Sequence, residues 1–377
     1  MILETEIKKI FNKSEFKIVL EKIRKLGNTM LKPINKYYNI ILALMMTVTT
    51  HTFAQKNGLF SKKNVLNQYA TVGIGGGSSH YFGDLAPYSR FYYGIYTNVR
   101  WNGSINYTRF LNANAAARIS YTYARLYGDD YTFASRNLEK MSANYIRNLS
   151  FRNDLQEFTL SGIFNILPQY GKGAKGRSNI MPYGAVGIGI YGHNPKARGV
   201  VGFDPNTGLP VKAGWEALKP LNTSGQGIPG STLKTYSLVQ PVMPIALGLR
   251  VKINSNFDFT AEAGFRLTPF DYLDDVGNTS YPSKSLMVSN YGPEAAAFSY
   301  RAGEDYAANS GDLRLVNFIQ AASQQGFNTS GIAPSTNAEE IYPYSSMRGS
   351  KRIDSYILTQ FTLSYVLSNN IKCPVIK

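Results

Sequence analysis

The chain carries a single cysteine, Cys373, near its end, so no internal disulfide can form. The thiol reads as an inert tail group, with an intermolecular crosslink as the alternative. Glutamate is sparse, and long charged helical stretches are absent after residue 60, whereas Tyr, Gly, Asn, Ser and Thr abound. That balance argues against an α/β enzyme and for an all-β protein. Phosphate chemistry is also missing. "TVGIGGGSSHYFGDL" (71–85) crowds four glycines into Gly73–Gly77, but it has no GK[ST], no final glycine of G-x-G-x-x-G, and no amphipathic helix after it. The glycines are expected instead to let a strand curve tightly in a small barrel.

What is present begins with an export signal. "MLKPINKYYNIILALMMTVTTHTFAQ" has Lys32 and Lys36, an apolar run from Ile40 to Val48, and Thr52-Phe53-Ala54 before Gln55. The run is too short to span a membrane, and the pattern is that of a signal peptide over 30–54, cleaved after Ala54. Residues 1–29 have helical apolar spacing unlike a signal n-region. They read as an extension upstream of the true start, with a cytoplasmic helix as the alternative. Residues 55–67 are expected to form a periplasmic segment, 68–367 the folded domain and 368–377 a periplasmic tail. The formal charge is +16 for the whole chain and 31 − 20 = +11 once residues 1–54 are removed, which suits anionic lipid head groups or an acidic partner. In an exported protein, nucleic acid fits it poorly.

After residue 67 the apolar period is two. In "FDFTAEAGFRL" (257–267) the odd positions are Phe, Phe, Ala, Ala, Phe and Leu, and the even ones are Asp, Thr, Glu, Gly and Arg. The segments 68–82, 91–109, 115–127, 151–166, 181–193, 236–253 and 353–367 behave alike, giving eight strands in all. Several exceed the roughly 9–11 residues that a tilted strand needs to cross a bilayer. Connections after the first short pair alternate long and short, as in a membrane barrel with short periplasmic turns and long outer loops. The expected fold is an eight-stranded antiparallel up-and-down transmembrane β-barrel with long extracellular loops. Tyr69, Tyr107, Tyr127, Tyr183 and Tyr236 suit either an interfacial aromatic girdle or plain β propensity.

A barrel of this size has an interior that side chains just fill. The inward set holds Arg100, Arg118, Glu157, Arg250, Asp258, Glu262 and Arg266. These are expected to pair as a charge network plugging the lumen rather than lining a pore. Ser79, His80 and Asp84 lie within one stretch near the outer rim and are the one catalytic candidate. A His at a strand end is more simply polar rim, so no enzyme is expected. Asp271, Asp274 and Asp275 of "DYLDD" lack calcium-loop spacing and read as solvated or loop-capping acids, with no cofactor implied.

Five stretches resemble one family: "HYFGDL" (80–85), "RNLSFRNDLQEFTL" (147–160), "PYGAVGIGIYGHNPKA" (182–197), "WEALKPLNTSGQG" (215–227) and "FRLTPFDYLDDV" (265–276). Together they resemble the PorG-type outer-membrane barrels of the type IX (Por) secretion system. The resemblance covers most of residues 68–276 and leaves 277–352 unassigned. It implies a scaffold that links the periplasmic ring proteins of that machine to the outer membrane without being the conduit. A free-standing structural or adhesive barrel acting through its outer loops is the alternative, and a hydrolase using His80 the remote one. The turn "LPQYGKGAKGRSN" (167–179) offers Lys172, Lys175 and Arg177 to an acidic periplasmic surface or to lipid phosphates.

Overall fold

The structure, a computed structural model, describes residues 69–86, 98–167, 173–199, 202–208, 210–277, 280–331, 333–343, 346, 348–350 and 353–367. The signal peptide with its cleavage point, the segments 1–29, 55–67 and 368–377, Lys172 and Cys373 lie outside the described residues.

Eight long strands close into a ring. β1 (Tyr69–Phe82), β2 (Arg100–Phe110), β3 (Ala115–Asp129), β4 (Ser150–Asn165) and β5 (Ile180–Gly192) each pair antiparallel with the next. Four short strands follow in one connection: β6 (Lys196–Arg198), β7 (Gly202–Phe203), β8 (Pro210–Val211) and β9 (Trp215–Ala217). β10 (Val239–Lys252), β11 (Phe257–Leu267) and β12 (Ser355–Leu367) complete the wall. β12 then pairs with β1 from Ala70↔Leu367 to Phe82↔Ser355. Closure leaves no unpaired sheet edge, which a bilayer core would not tolerate. Among the described residues no helix is long and apolar enough to cross a membrane.

Alternation sorts the two faces of the wall. Ile74, Ile188 and Leu247 are about 70% exposed, and Ile105, Phe158, Leu160, Phe361 and Leu363 also face outward. An apolar belt of this kind around a closed barrel is a lipid-facing surface. Inward positions on β1 fall at Thr71, Gly73, Gly75, Gly77 and Ser79. A Cβ on Gly77 would overlap the Thr359 carbonyl, and one on Gly75 the Thr362 hydroxyl. The glycine run therefore lets β1 approach β12 and the packed interior closely, which accounts for "GIGGG" without any phosphate.

Two expectations need correction. The second strand, expected over 91–109, is observed from Arg100, after Asn98 turns the chain at φ 55, and 91–97 lie outside the described residues. The first connection, 83–99, is consequently long, so long and short connections alternate from the start, with 111–114, 166–179 and 253–256 at the other end. The girdle tyrosines also differ. Tyr69, Tyr183 and Tyr236 are buried, and of the five candidates Tyr107 is the exposed one. Trp101, Tyr121 and Tyr365 do face outward. Period two finds a strand, but a Tyr suits either face because its ring is apolar and its hydroxyl can satisfy a buried acceptor.

The long connections fold over the barrel mouth. They carry α1 (Asp130–Ala134), α2 (Leu138–Arg147), α3 (Lys284–Ser299), α4 (Leu315–Gln324) and α5 (Pro334–Ile341). Asp129 caps α1 by accepting from the Tyr131 amide, and α2 ends at Asn148 in the left-handed region, φ 56. Tyr145 and Ile146 of α2 pack on Phe318 and Ala321 of α4 in a core separate from the barrel's.

Substituting Ala261→Arg on the outward face of β11 should destabilise the barrel by about 2–4 kcal/mol in a bilayer. Val316→Arg, on the 74% exposed surface of α4, should cost little. Urea unfolding in liposomes would compare them, and equal stability of the two variants would refute the inside-out assignment.

Candidate functional site

The lumen is filled by charge that neutralises itself. Arg118 donates twice to Glu262, at 2.6 and 3.0 Å, and the Tyr183 hydroxyl donates to the same carboxylate at 2.6 Å. One layer toward the mouth, Arg266 lies 3.3 Å from Glu157, which also accepts from Tyr356 at 2.6 Å. Toward the turns, Arg177 pairs with Asp258 at 2.8 Å. Each carboxylate loses its water on burial, and an Arg replaces it with charge and directed donors, joined at Glu262 and Glu157 by a phenol. Two residues of the expected network stand outside these pairs. Arg250 lies over the Phe110 ring at 4.5 Å and reaches the Asn165 side chain. Arg100, at the rim, lies over the Tyr127 ring at 4.0 Å and donates to the Val99 carbonyl.

Apolar side chains pack around the ion pairs at both ends of the lumen. Tyr69, Phe110 and Ile163 close the turn end, while Phe151, Leu155 and Leu358 close the mouth together with Leu273 and Val276 from the last long connection. The cavities left between the charged layers measure about 30 and 10 Å³. A volume of that order holds about one water and no ion path.

The basic turn does not present the three cations expected of it. Arg177 is buried, donating to the carbonyls of Asn254 and Ser255 as well as to Asp258. It serves the barrel end, whereas Lys175 is exposed. Lys172 lies outside the described residues. Sequence alone could not separate Lys175 from Arg177, since only the fold brings Asp258 beneath the turn.

Ser79, His80 and Asp84 do not assemble into a catalytic group. Ser79 points inward and donates to the Arg125 carbonyl, while His80, one residue on, meets Ser78 at 2.7 Å. Asp84 accepts from the amide and hydroxyl of Ser350. His193 is buried between Tyr191 and Tyr236, and desolvation lowers its pKa to about 4. Its Nε2 faces the Ser237 carbonyl, which can only accept. The neutral ring therefore carries its proton there, and Nδ1 accepts from Asn153.

Asp274 and Asp275 of "DYLDD" are buried loop caps rather than solvated groups, and Asp271 is half-buried. Asp275 accepts from Tyr236 at 2.6 Å and from Thr223. Asp274 accepts from the Val276 amide at 2.9 Å and meets the Tyr81 hydroxyl at 2.7 Å. Tyr81 also touches Asp354, at 3.0 Å. One phenol has one proton, so two carboxylates around it require a second proton on one of them. Burial, reinforced by the neighbouring carboxylates, pushes Asp274 up to about 7, Asp271 to about 8 and Asp354 well above its usual range. No group of acids, His or Cys among the described residues has the geometry to hold a metal ion.

Four buried arginines, none of them singled out by the sequence as a functional residue, organise the cap. Arg147 holds Asp130 at 2.7 Å and donates to the carbonyls of Asp84 and Arg348. Arg348 donates to Thr223 at 2.7 Å and Ser224 at 2.6 Å. Those contacts tie all four long connections together. Arg314 donates to the Tyr145 and Ile146 carbonyls at the end of α2, and Arg301 to Glu304 at 2.8 Å. Beyond them lies a groove of about 800 Å³ between α3 and α5.

No family model matches the chain, and no curated protein matches it. Solved structures similar to it include Ail, the attachment invasion locus protein of Yersinia pestis, in complex with the heparin analogue sucrose octasulfate. That match has 9% identity over 80% of this chain and 99% of that one, with a TM-score of 0.31. Neisserial surface protein A is similar at 8% identity over 78% and 96% of the two chains, TM-score 0.32. OprG from Pseudomonas aeruginosa is similar at 6% identity over 81% and 98%, TM-score 0.27. At these values the likeness carries no argument about site or partner, and the barrel stands on its own strand pairing. The PorG resemblance finds no support among them.

Two outcomes follow from the buried charges. Arg177→Ser strands Asp258 and should destabilise the barrel by about 3–5 kcal/mol, whereas Lys175→Ser should change stability by less than about 0.5 kcal/mol. Equal effects in denaturant titrations would disprove the burial of Arg177. The carboxyls at the mouth bind protons more tightly folded than unfolded, so they weaken folding as pH rises from about 4 to about 8. Thermal melts at pH 5.5 should therefore exceed those at pH 8.5, with Asp354→Asn narrowing the gap. A melting point that climbs with pH across that window would contradict the shared proton.

Proposed function

We propose that the protein is a non-conducting outer-membrane barrel scaffold whose working surface is the cap, and that it catalyses no reaction. The observation that carries this reading is the plugged lumen. Three ion pairs and the apolar side chains around them fill the lumen, and the two cavities between the charged layers measure about 30 and 10 Å³, which favours a barrel that does not conduct. The apolar belt supplies the affinity for outer-membrane lipids. The four long connections, bound together by Arg147 and Arg348, form a surface rigid enough to present a recognition site.

Linkage to periplasmic ring proteins, which the PorG resemblance implies, is the second reading. The exposed Lys175 favours it, but with Arg177 committed to Asp258 the turn offers fewer cations to an acidic surface.

The purified protein in planar bilayers should show no unitary conductance, and regular channel openings would overturn the scaffold reading. Photo-crosslinkers placed at Lys175 and at Val316 in living cells decide between the two ends. Adducts at Val316 support the cap. Adducts with periplasmic proteins at Lys175 alone support the ring linkage and overturn the cap as working surface.

A further inference from the structure

Along β4 the outward face changes character once. From the turn end, Ile166, Phe164, Leu160 and Phe158 face lipid, and Gln156, Asp154 and Arg152 follow toward the mouth. A tilted strand crosses the hydrocarbon in about 9–11 residues. Counted from Ile166, that length ends near Gln156, so Asp154 and Arg152 stand at head-group depth. β3 repeats the step, with Tyr121 and Tyr123 leading to Arg125, which lies directly opposite Asp154. β6 and β9 extend the same wall, with Lys196 opposite Arg152 and Arg198 opposite Trp215. Directly opposed residues share a face of the sheet, as do residues two apart on one strand. Arg125, Arg152, Lys196 and Arg198 therefore form one outward row.

That row holds more positive charge than its surroundings neutralise. Asp154 takes Arg125 at 2.6 Å and Arg152 at 2.7 Å, so two guanidiniums share one carboxylate. Arg198 donates to the Ala213 carbonyl at 2.8 Å, and neither it nor Lys196 has an ion pair among the described residues. Glu216 alternates with Trp215 on β9 and so belongs to the other face. Arg152 and Arg198 both lie over the Trp215 ring, at 5.2 and 4.9 Å. Held on one indole, the two guanidiniums repel each other, and an anion between them removes the repulsion. Arg125 lies 5.7 Å from Trp101, whose ring stacks on Tyr123 at the upper edge of the apolar belt. Asp154 and the two indoles thus fix the arginines before any ligand arrives, with about a quarter of the Arg125 and Arg152 side chains exposed.

We propose that this row binds the phosphate head group of an anionic lipid in the leaflet at the barrel mouth. Guanidiniums fork onto phosphate oxygens, the Lys196 ammonium adds a point charge, and the acyl chains continue onto the exposed Trp101, Phe158 and Leu160. A soluble phosphate meets the same donors but makes no use of the apolar wall beside them. A zwitterionic head group brings its own cation to a row that is already positive. The site lies on the barrel wall and does not depend on the cap being the working surface.

The test titrates the full-length protein, in a non-ionic detergent, with phosphatidic acid and with phosphatidylcholine of the same acyl chains, counting bound lipid by native mass spectrometry. Phosphatidic acid should bind saturably, and phosphatidylcholine more weakly. Lys196→Gln, which removes no hydrogen bond among the described residues, should weaken phosphatidic acid about fivefold at an unchanged melting point, and Lys196→Gln with Arg198→Gln about 25-fold. Lys212→Gln with Lys234→Gln removes the same charge from exposed positions of the same connection and should leave binding nearly unchanged. Equal binding of the two lipids, full binding by the Lys196→Gln protein, or equal weakening by the two double variants would overturn the proposal. Complete displacement of the lipid by millimolar inorganic phosphate would assign the row to a soluble anion and overturn it as well. These outcomes concern the wall alone, whereas conductance and in-cell crosslinking at Val316 report separately on the scaffold reading.

Discussion

The structure depends on neutralising carboxylates that have lost their water. An eight-stranded ring is too narrow for a column of solvent, so each carboxylate on its inner face needs a counter-charge from elsewhere in the fold. Glu262 on β11 finds Arg118 on β3, and Glu157 on β4 finds Arg266 on β11. Such pairs form in one strand register only, because a slip by one residue would put all these charges into lipid. Buried pairs add little net stability over apolar packing, but breaking one is costly. Their contribution to specificity therefore exceeds their contribution to affinity.

Tyrosine has a matching role. Tyr183, Tyr356, Tyr81 and Tyr236 each place a hydroxyl on a buried carboxylate. A phenol fills space as an aromatic ring does and brings one donor without adding a charge that must itself be paired. The abundance of Tyr in this chain thus belongs in part to its interior, not to a membrane girdle alone.

The cap follows the same rule with the charges reversed. Arg147, Arg314 and Arg348 are buried among carbonyls and hydroxyls at the ends of helices and loops, where five fixed donors satisfy acceptors that no regular secondary structure reaches. Long connections left to themselves would be mobile. Bound through two guanidiniums, they become one surface above a plugged barrel, with a groove where α3 breaks.

The sequence by itself determined the eight strands, their inside and outside, the antiparallel meander and most of the charged residues of the inner face. Those follow from a period of two, which any half-buried strand imposes locally and which survives whatever the neighbours are. It placed the start of β2 at 91, because the apolar positions of 91–97 share the strand's parity, whereas the strand is observed from Arg100. It could not say that Arg177 belongs to Asp258, that Ser79 and His80 diverge, or that Asp274 and Asp354 share a phenol. Partners so far apart in the chain are set by closure of the ring and folding of the loops, and no local pattern encodes them. The cap was decided by tertiary structure alone. Arg147 lies in one long connection and Arg301, Arg314 and Arg348 in another, and only packing brings the guanidiniums of Arg147, Arg314 and Arg348 to the carbonyls they hold.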